Sequence, residues 1–156
     1  MRKPFRALSG TAAAVAVLLT ATGASAAAGA PGAGPAPVVK EIAQGRQDGP
    51  VEVDVKGATQ VNFREITLPP GAGTGRHCHY GQLVGVVKSG TLTHYAPVYT
   101  GGVHVYHAGD SLVEGSGYVH EGRNEGTEDT VLWVTYVTPQ GKPLAESDLA
   151  HCGTGH

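Results

Sequence analysis

The sequence predicts an all-β domain, and three observations carry that expectation. From Val38 onward no stretch of about a dozen residues shows the 3.6-residue periodicity of an amphipathic helix. Short segments rich in β-branched residues recur instead, spaced roughly 8–12 residues apart as in a sandwich or barrel. Gly, Pro and Asp punctuate them, and 24 glycines in 156 residues with only 15% charged residues imply many tight turns.

The chain opens differently. Residues 1–37 are almost wholly Ala, Gly, Pro and small hydroxyls, so the folded part is expected to begin near Val38. Arg2, Lys3 and Arg6, the apolar stretch from Ala12 to Leu19, and Ala24-Ser25-Ala26 form the three-part pattern of a cleaved secretory signal over residues 1–26. A membrane anchor would need about 20 predominantly apolar residues. This stretch is short, Ala-rich and broken by Thr20, Thr22 and Gly23, so export, without retention in the membrane, is the expectation. Residues 27–37 read as a flexible Ala/Gly/Pro linker. The domain is expected over 38–145, with 146–156 as a flexible tail.

Strands are expected at 51–55, 61–68, 83–88, 91–95, 103–106, 111–113, 118–121 and 131–137. Thr91-Leu92-Thr93-His94-Tyr95 alternates as a half-exposed strand should, and Lys88-Ser89-Gly90 before it suggests a hairpin with the preceding strand. Residues 83–87 and 131–137 are nearly continuous apolar runs, which implies burial on both faces. The covering surface is either the fold's own interior or a second subunit, so a homodimer is one of the two expectations.

Without its leader the chain keeps eight basic and 13 acidic residues, a formal charge of −5. Such a surface does not attract nucleic acid, and no amphipathic helix is available to lie on a membrane. A metal or small-molecule site is the better expectation. Cys78 and Cys152 are an even pair for an oxidising compartment. Whether they bond depends on a distance that sequence does not give, so both disulfide and free thiols stay open.

Two segments carry the chemistry. In Gly71-Ala-Gly-Thr-Gly-Arg-His77-Cys78-His79, the histidines are two apart, so in extended chain both imidazoles share one face while Cys78 points the opposite way. Gly109-Asp110-Ser-Leu-Val-Glu114-Gly115-Ser-Gly117-Tyr-Val-His120-Glu121-Gly-Arg-Asn124 places a third histidine after another glycine-rich turn. Glu114 and Glu121 flank it, either orienting a histidine or simply solvated. His94, His104, His107, His151 and His156 are expected at the surface.

These segments resemble the two motifs of the cupin family. The first is Gly, five residues, His-x-His, three or four residues, Glu, six residues, Gly; Gly71, His77, His79 and Gly90 fall in place. The second is Gly, five residues, Pro-x-Gly, two residues, His, three residues, Asn, matched by Gly109, Gly117, His120 and Asn124, with Gly115 where the proline would stand. The resemblance implies a double-stranded β-helix, or jelly-roll barrel, with His77, His79 and His120 on a divalent ion: Fe, Zn, Cu, Ni or Mn. It also implies a small-molecule ligand and, in enzymatic relatives, oxygenase or isomerase chemistry.

One position departs. Where the motif has its glutamate, four residues after His79, this chain has Leu83. The expectation is therefore a site without a carboxylate ligand, whose full +2 charge favours an anionic substrate. Gln82, one position off register, is a candidate fourth ligand through its carbonyl oxygen. A non-catalytic barrel that only binds a metal or small ligand is the alternative to an enzyme.

Overall fold

The computed structural model describes residues 37–153. The leader, most of the linker and His156 lie outside the described residues. Seven strands follow in order: β1 (Thr59–Leu68), β2 (Gln82–Ser89), β3 (Thr91–Tyr95), β4 (Val103–His107), β5 (Ser111–Glu114), β6 (Glu121–Arg123) and β7 (Thr130–Pro139). They form two antiparallel sheets, one of four strands in the order β1-β7-β2-β5 and one of three in the order β4-β3-β6. This is the jelly-roll arrangement, and the one core draws on both sheets: Leu83, Val87, Leu112, Leu132, Val134 and Tyr136 from the first, Leu92 and Tyr106 from the second.

Seven of the eight expected strands are present, 91–95 with its bounds unchanged and the others with shifted ends. The eighth, at 51–55, is an extended and mostly exposed segment that joins no sheet. Between residues 118 and 121, only a single bridge forms, at His120, before β6 begins.

The β2–β3 hairpin does not form. β2 pairs with β5 and β7, whereas β3 pairs with β4 and β6, so the chain crosses between sheets at Ser89-Gly90. Gly90 makes the crossing with φ of 75°, and a Cβ there would lie 2.6 Å from the Asp129 carbonyl oxygen and 2.8 Å from Thr130 Cα. Only glycine suits both the dihedral and the contact.

The apolar runs of β2 and β7 are buried on one face only. Their inward residues are almost inaccessible, while Val84, Val86 and Trp133 on the outer face are half-buried and the neighbouring Phe63 is 80% exposed. Double burial within the chain, one of the two alternatives the sequence left open, is therefore not what these strands show.

Residues 146–153, expected as a flexible tail, are fastened to the barrel. Cys78 and Glu146 exchange backbone hydrogen bonds of 3.0 and 2.8 Å, and Gly153 N–H donates to Gly117 C=O at 2.7 Å. Cys78 and Cys152 form a disulfide with Cα atoms 5.8 Å apart. Asn124, the last residue of the second motif, is buried and ties two loops together, donating to Leu68 C=O and Glu128 C=O at 2.7 Å each.

Candidate metal centre

His77 and His79 lie in extended chain just before β2, with Cys78 between them directed the other way into its disulfide. His77 N–H donates to His120 C=O at 3.0 Å, and His120 N–H donates back to His77 C=O at 2.8 Å. Residues that exchange hydrogen bonds in this way stand directly opposite and share a face. The three imidazoles consequently cluster, with ring centroids 4.4–4.9 Å apart. All three are buried, His79 completely.

Each ring is held by its Nδ1. His77 Nδ1 meets Gly75 C=O at 2.8 Å, His79 Nδ1 meets Leu144 C=O at 2.6 Å, and His120 Nδ1 meets Tyr118 C=O at 3.1 Å. A carbonyl oxygen only accepts, so each Nδ1 must carry the proton, and each neutral ring then presents its Nε2 lone pair. This is the arrangement by which metal-ligating histidines are oriented. Burial, foremost, pushes His77 below its ordinary range and so favours the neutral, ligating form; the neighbouring rings add to this, while the Gly75 hydrogen bond and Glu114 oppose it.

The fourth member is Glu114, at the end of β5. Its Oε2 lies 2.8 Å from His79 Nε2 and 3.2 Å from His120 Nε2, and those two nitrogens are 3.1 Å apart. One donor atom from each of His77, His79, Glu114 and His120 lies within 4.8 Å of all the others. Around an ion with bonds of about 2.0–2.1 Å, neighbouring donors stand about 3 Å apart, the spacing that His79, His120 and Glu114 show, and with His77 close by these residues could hold a divalent ion. Burial alone would raise Glu114; contacts with His120, His79 and His94 outweigh it and hold the carboxyl well below its usual range. Those contacts stabilise the carboxylate only through protons on the ring Nε2 atoms, which the carbonyls at Nδ1 draw away from His79 and His120, so a buried carboxylate amid lone pairs calls for a cation.

The expectation of a site without a carboxylate is thus overturned. Leu83 does occupy the motif position, and it is buried in the core. In the β2–β5 ladder, however, its direct partner is Glu114. Paired residues point to the same side of a sheet, so the carboxylate enters the same space from the neighbouring strand. Gln82 is not part of the cluster: it sits at the first position of β2, one residue from the inward-facing Leu83, and its Oε1 accepts from Asp54 N–H at 2.7 Å. Alternation along the strand turns it to the opposite face.

A second correction concerns His94, which is completely buried where a surface position was expected. Its Nε2 is 3.2 Å from Glu114 Oε1 and its Nδ1 2.7 Å from Tyr99 OH. His104, His107 and His151 are exposed. Glu121 is half-buried beside Arg123, 3.2 Å away, and is not one of the four.

A cavity of about 30 Å³ adjoins the centre, lined by Ile66, Thr74, His77, Leu83, Glu114 and Tyr136 among others. That is about the room one water molecule occupies. On the outside, a depression of about 380 Å³ reaches His120 and carries Arg76, Tyr95 and Val119.

A family model described as "Cupin domain" matches residues 64–137, which hold all four of these residues. The chain carries a cupin domain over those residues. No curated protein sequence matches this chain. Among solved structures, it is similar to a conserved protein of unknown function from Streptococcus pyogenes, at 18% identity and a TM-score of 0.46, covering 57% of this chain and 73% of that one. A predicted oxalate decarboxylase from Thermotoga maritima is similar at 24% identity and a TM-score of 0.43, over 49% of this chain and 64% of that one. A DMSP lyase from Ruegeria pomeroyi is similar at 14% identity and a TM-score of 0.49, over 62% and 45%. The chain thus spans less than two thirds of the second and third of these structures.

Proposed function

We propose that this protein is an exported, metal-binding cupin that holds one divalent ion through His77, His79, Glu114 and His120 and brings a small anionic molecule to it. The observation that carries the reading is the clustering of the three histidines, each with Nδ1 on a backbone carbonyl and with one ring nitrogen within 4.8 Å of the others and of the Glu114 carboxylate. When bound, the ion would supply a Lewis-acid or dioxygen-binding centre. Glu114 lowers the charge of the loaded site from the bare +2, which still favours an anion. Arg76, at the depression that reaches His120, adds a guanidinium for a carboxylate to meet. Export is supported by the signal-like leader and by the Cys78–Cys152 disulfide, a bond typical of oxidising compartments.

Oxygenase or isomerase turnover is the enzymatic form of this reading. A non-catalytic binding barrel is favoured by one feature, the interior cavity of about 30 Å³, which admits at most a coordinating arm of a larger molecule. A screen of small mono- and dicarboxylates with metal-loaded protein, aerobic and anaerobic, separates the two. Turnover that disappears in His120→Ala establishes the enzyme. Saturable binding of a carboxylate, lost in the same variant and accompanied by no turnover, establishes the binding module. Metal loading that changes neither binding nor turnover contradicts the shared reading.

A further inference from the structure

We propose that His94, Tyr99 and Tyr106 form a one-directional chain of hydrogen bonds that fixes Glu114 as a single-oxygen ligand, making His94 a positioning residue of the metal centre. The proposal rests on the metal reading above. It starts from a polar residue with no place in the family motifs: His94 is completely buried, and its Nε2, 3.2 Å from Glu114 Oε1, is not well enough aligned for a hydrogen bond in the present carboxylate orientation. A buried N–H aimed at an ionised oxygen but not satisfied by it costs free energy that a small turn of the carboxylate would recover.

Proton directions along the chain follow from what each atom can do. A carboxylate only accepts, so His94 Nε2 carries the proton and its Nδ1 must accept. The group 2.7 Å from that Nδ1 is Tyr99 OH, which donates to it. Tyr99 has then used its one proton, so Tyr106 OH, 3.0 Å away, donates to Tyr99. Burial, first, raises both hydroxyls above the ordinary tyrosine range, which keeps them protonated as donors. The rings pack in the same sequence, with His94 set edge-on against both Tyr99 and His120.

The two oxygens of Glu114 face different groups. Oε2 faces His79 and His120, and Oε1 faces His94. Once His79 and His120 give their Nε2 lone pairs to an ion, neither has a proton left for Glu114 on that side. His94 is then the one ring N–H directed at this carboxylate among the described residues. Holding Oε1, it leaves Oε2 to ligate alone and keeps a coordination position that a two-oxygen carboxylate would fill.

Cobalt(II), whose visible absorption reports coordination number, tests this on the full mature chain. In His94→Phe we expect Co(II) affinity to fall about 10–100-fold and the absorption to weaken and shift as a second carboxylate oxygen joins the ion. His94→Gln, whose amide N–H can donate to Glu114, restores most of the wild-type spectrum. Tyr99→Phe and Tyr106→Phe, each missing one oxygen, move affinity and spectrum in the same direction as His94→Phe, Tyr106→Phe least. A structural role alone would lower unfolding stability and leave the spectrum unchanged. Wild-type affinity and spectrum in folded His94→Phe and Tyr99→Phe overturn the proposal. Should His94→Phe not fold, an unchanged spectrum in both tyrosine variants does so. A wild-type protein that binds no Co(II) overturns the metal reading itself, an outcome separate from silent variants of a protein that binds.

Discussion

His77 combines burial with a role that requires the neutral ring. Its folded value lies below the ordinary histidine value of 6.5, chiefly through burial, so near pH 6 the unfolded chain takes up a proton that the folded ring refuses. The sign follows: this contribution to stability is fully present above pH 6.5 and declines as pH falls from there toward the folded value. In chelator-treated protein, urea denaturation at a series of pH values should show wild-type stability falling more steeply below pH 6.5 than that of His77→Gln, by up to about 1.4 kcal/mol per pH unit. Equal slopes would mean that His77 is not depressed. At the same scale, Glu114 and His94 obey a rule that the sequence does contain. Each stands two residues from a core leucine, Leu112 and Leu92, and residues two apart in a strand share a face. The parity that buries those leucines buries the two polar groups as well. No family motif claims His94, which hides its burial from a motif reading, and the motif puts its carboxylate on another strand, which hides the place of Glu114.

Among elements, β2 and β5 explain how a ligand can change strands without changing the centre. Leu83 and Glu114 are direct partners in an antiparallel ladder, so either position delivers a side chain to the same space. Such pairings lie between residues 31 apart in the chain, and motif spacing along one strand does not reveal them. The missing hairpin has the same origin: Lys88-Ser89-Gly90 has turn composition, yet the contact that decides its path is with Asp129 and Thr130 on a distant segment. Gly81, just ahead of β2, is set by a comparable approach. A Cβ there would collide with the Val137 carbonyl oxygen and lie 2.8 Å from Thr138 Cα, both in the backbone of β7. Gly81→Ala should therefore destabilise the fold by about 1–3 kcal/mol and displace His79, weakening metal binding beyond the stability loss. Urea denaturation together with metal titration checks both, and a variant with wild-type values in each would contradict this packing.

For the whole molecule, the jelly roll brings the four residues of the candidate centre from three separate stretches: the approach to β2, the end of β5 and the bridge before β6. The tail completes the enclosure, since Leu144 C=O orients His79, and the Glu146 bridge and Cys78–Cys152 disulfide hold the segment in place. The fold class and the three histidines were legible because both motifs keep their spacing; the tail's attachment was not, because it depends on which cysteines meet in space. Removing the tail to eliminate His151 and His156 as stray metal binders would remove Cys152 too, so substituting those histidines is the sounder control. The candidate centre stands or falls on Glu114 as its carboxylate. Its most direct test is the metal content of the mature chain by elemental mass spectrometry, in a His151→Ala/His156→Ala background, for the otherwise wild-type protein, Glu114→Leu and the exchanged pair Leu83→Glu/Glu114→Leu. We expect about one ion per chain in the first, a large loss in the second and substantial recovery in the third, as the carboxylate returns from the opposite strand. Full occupancy in Glu114→Leu, or no metal in any of the three after reconstitution, would contradict it.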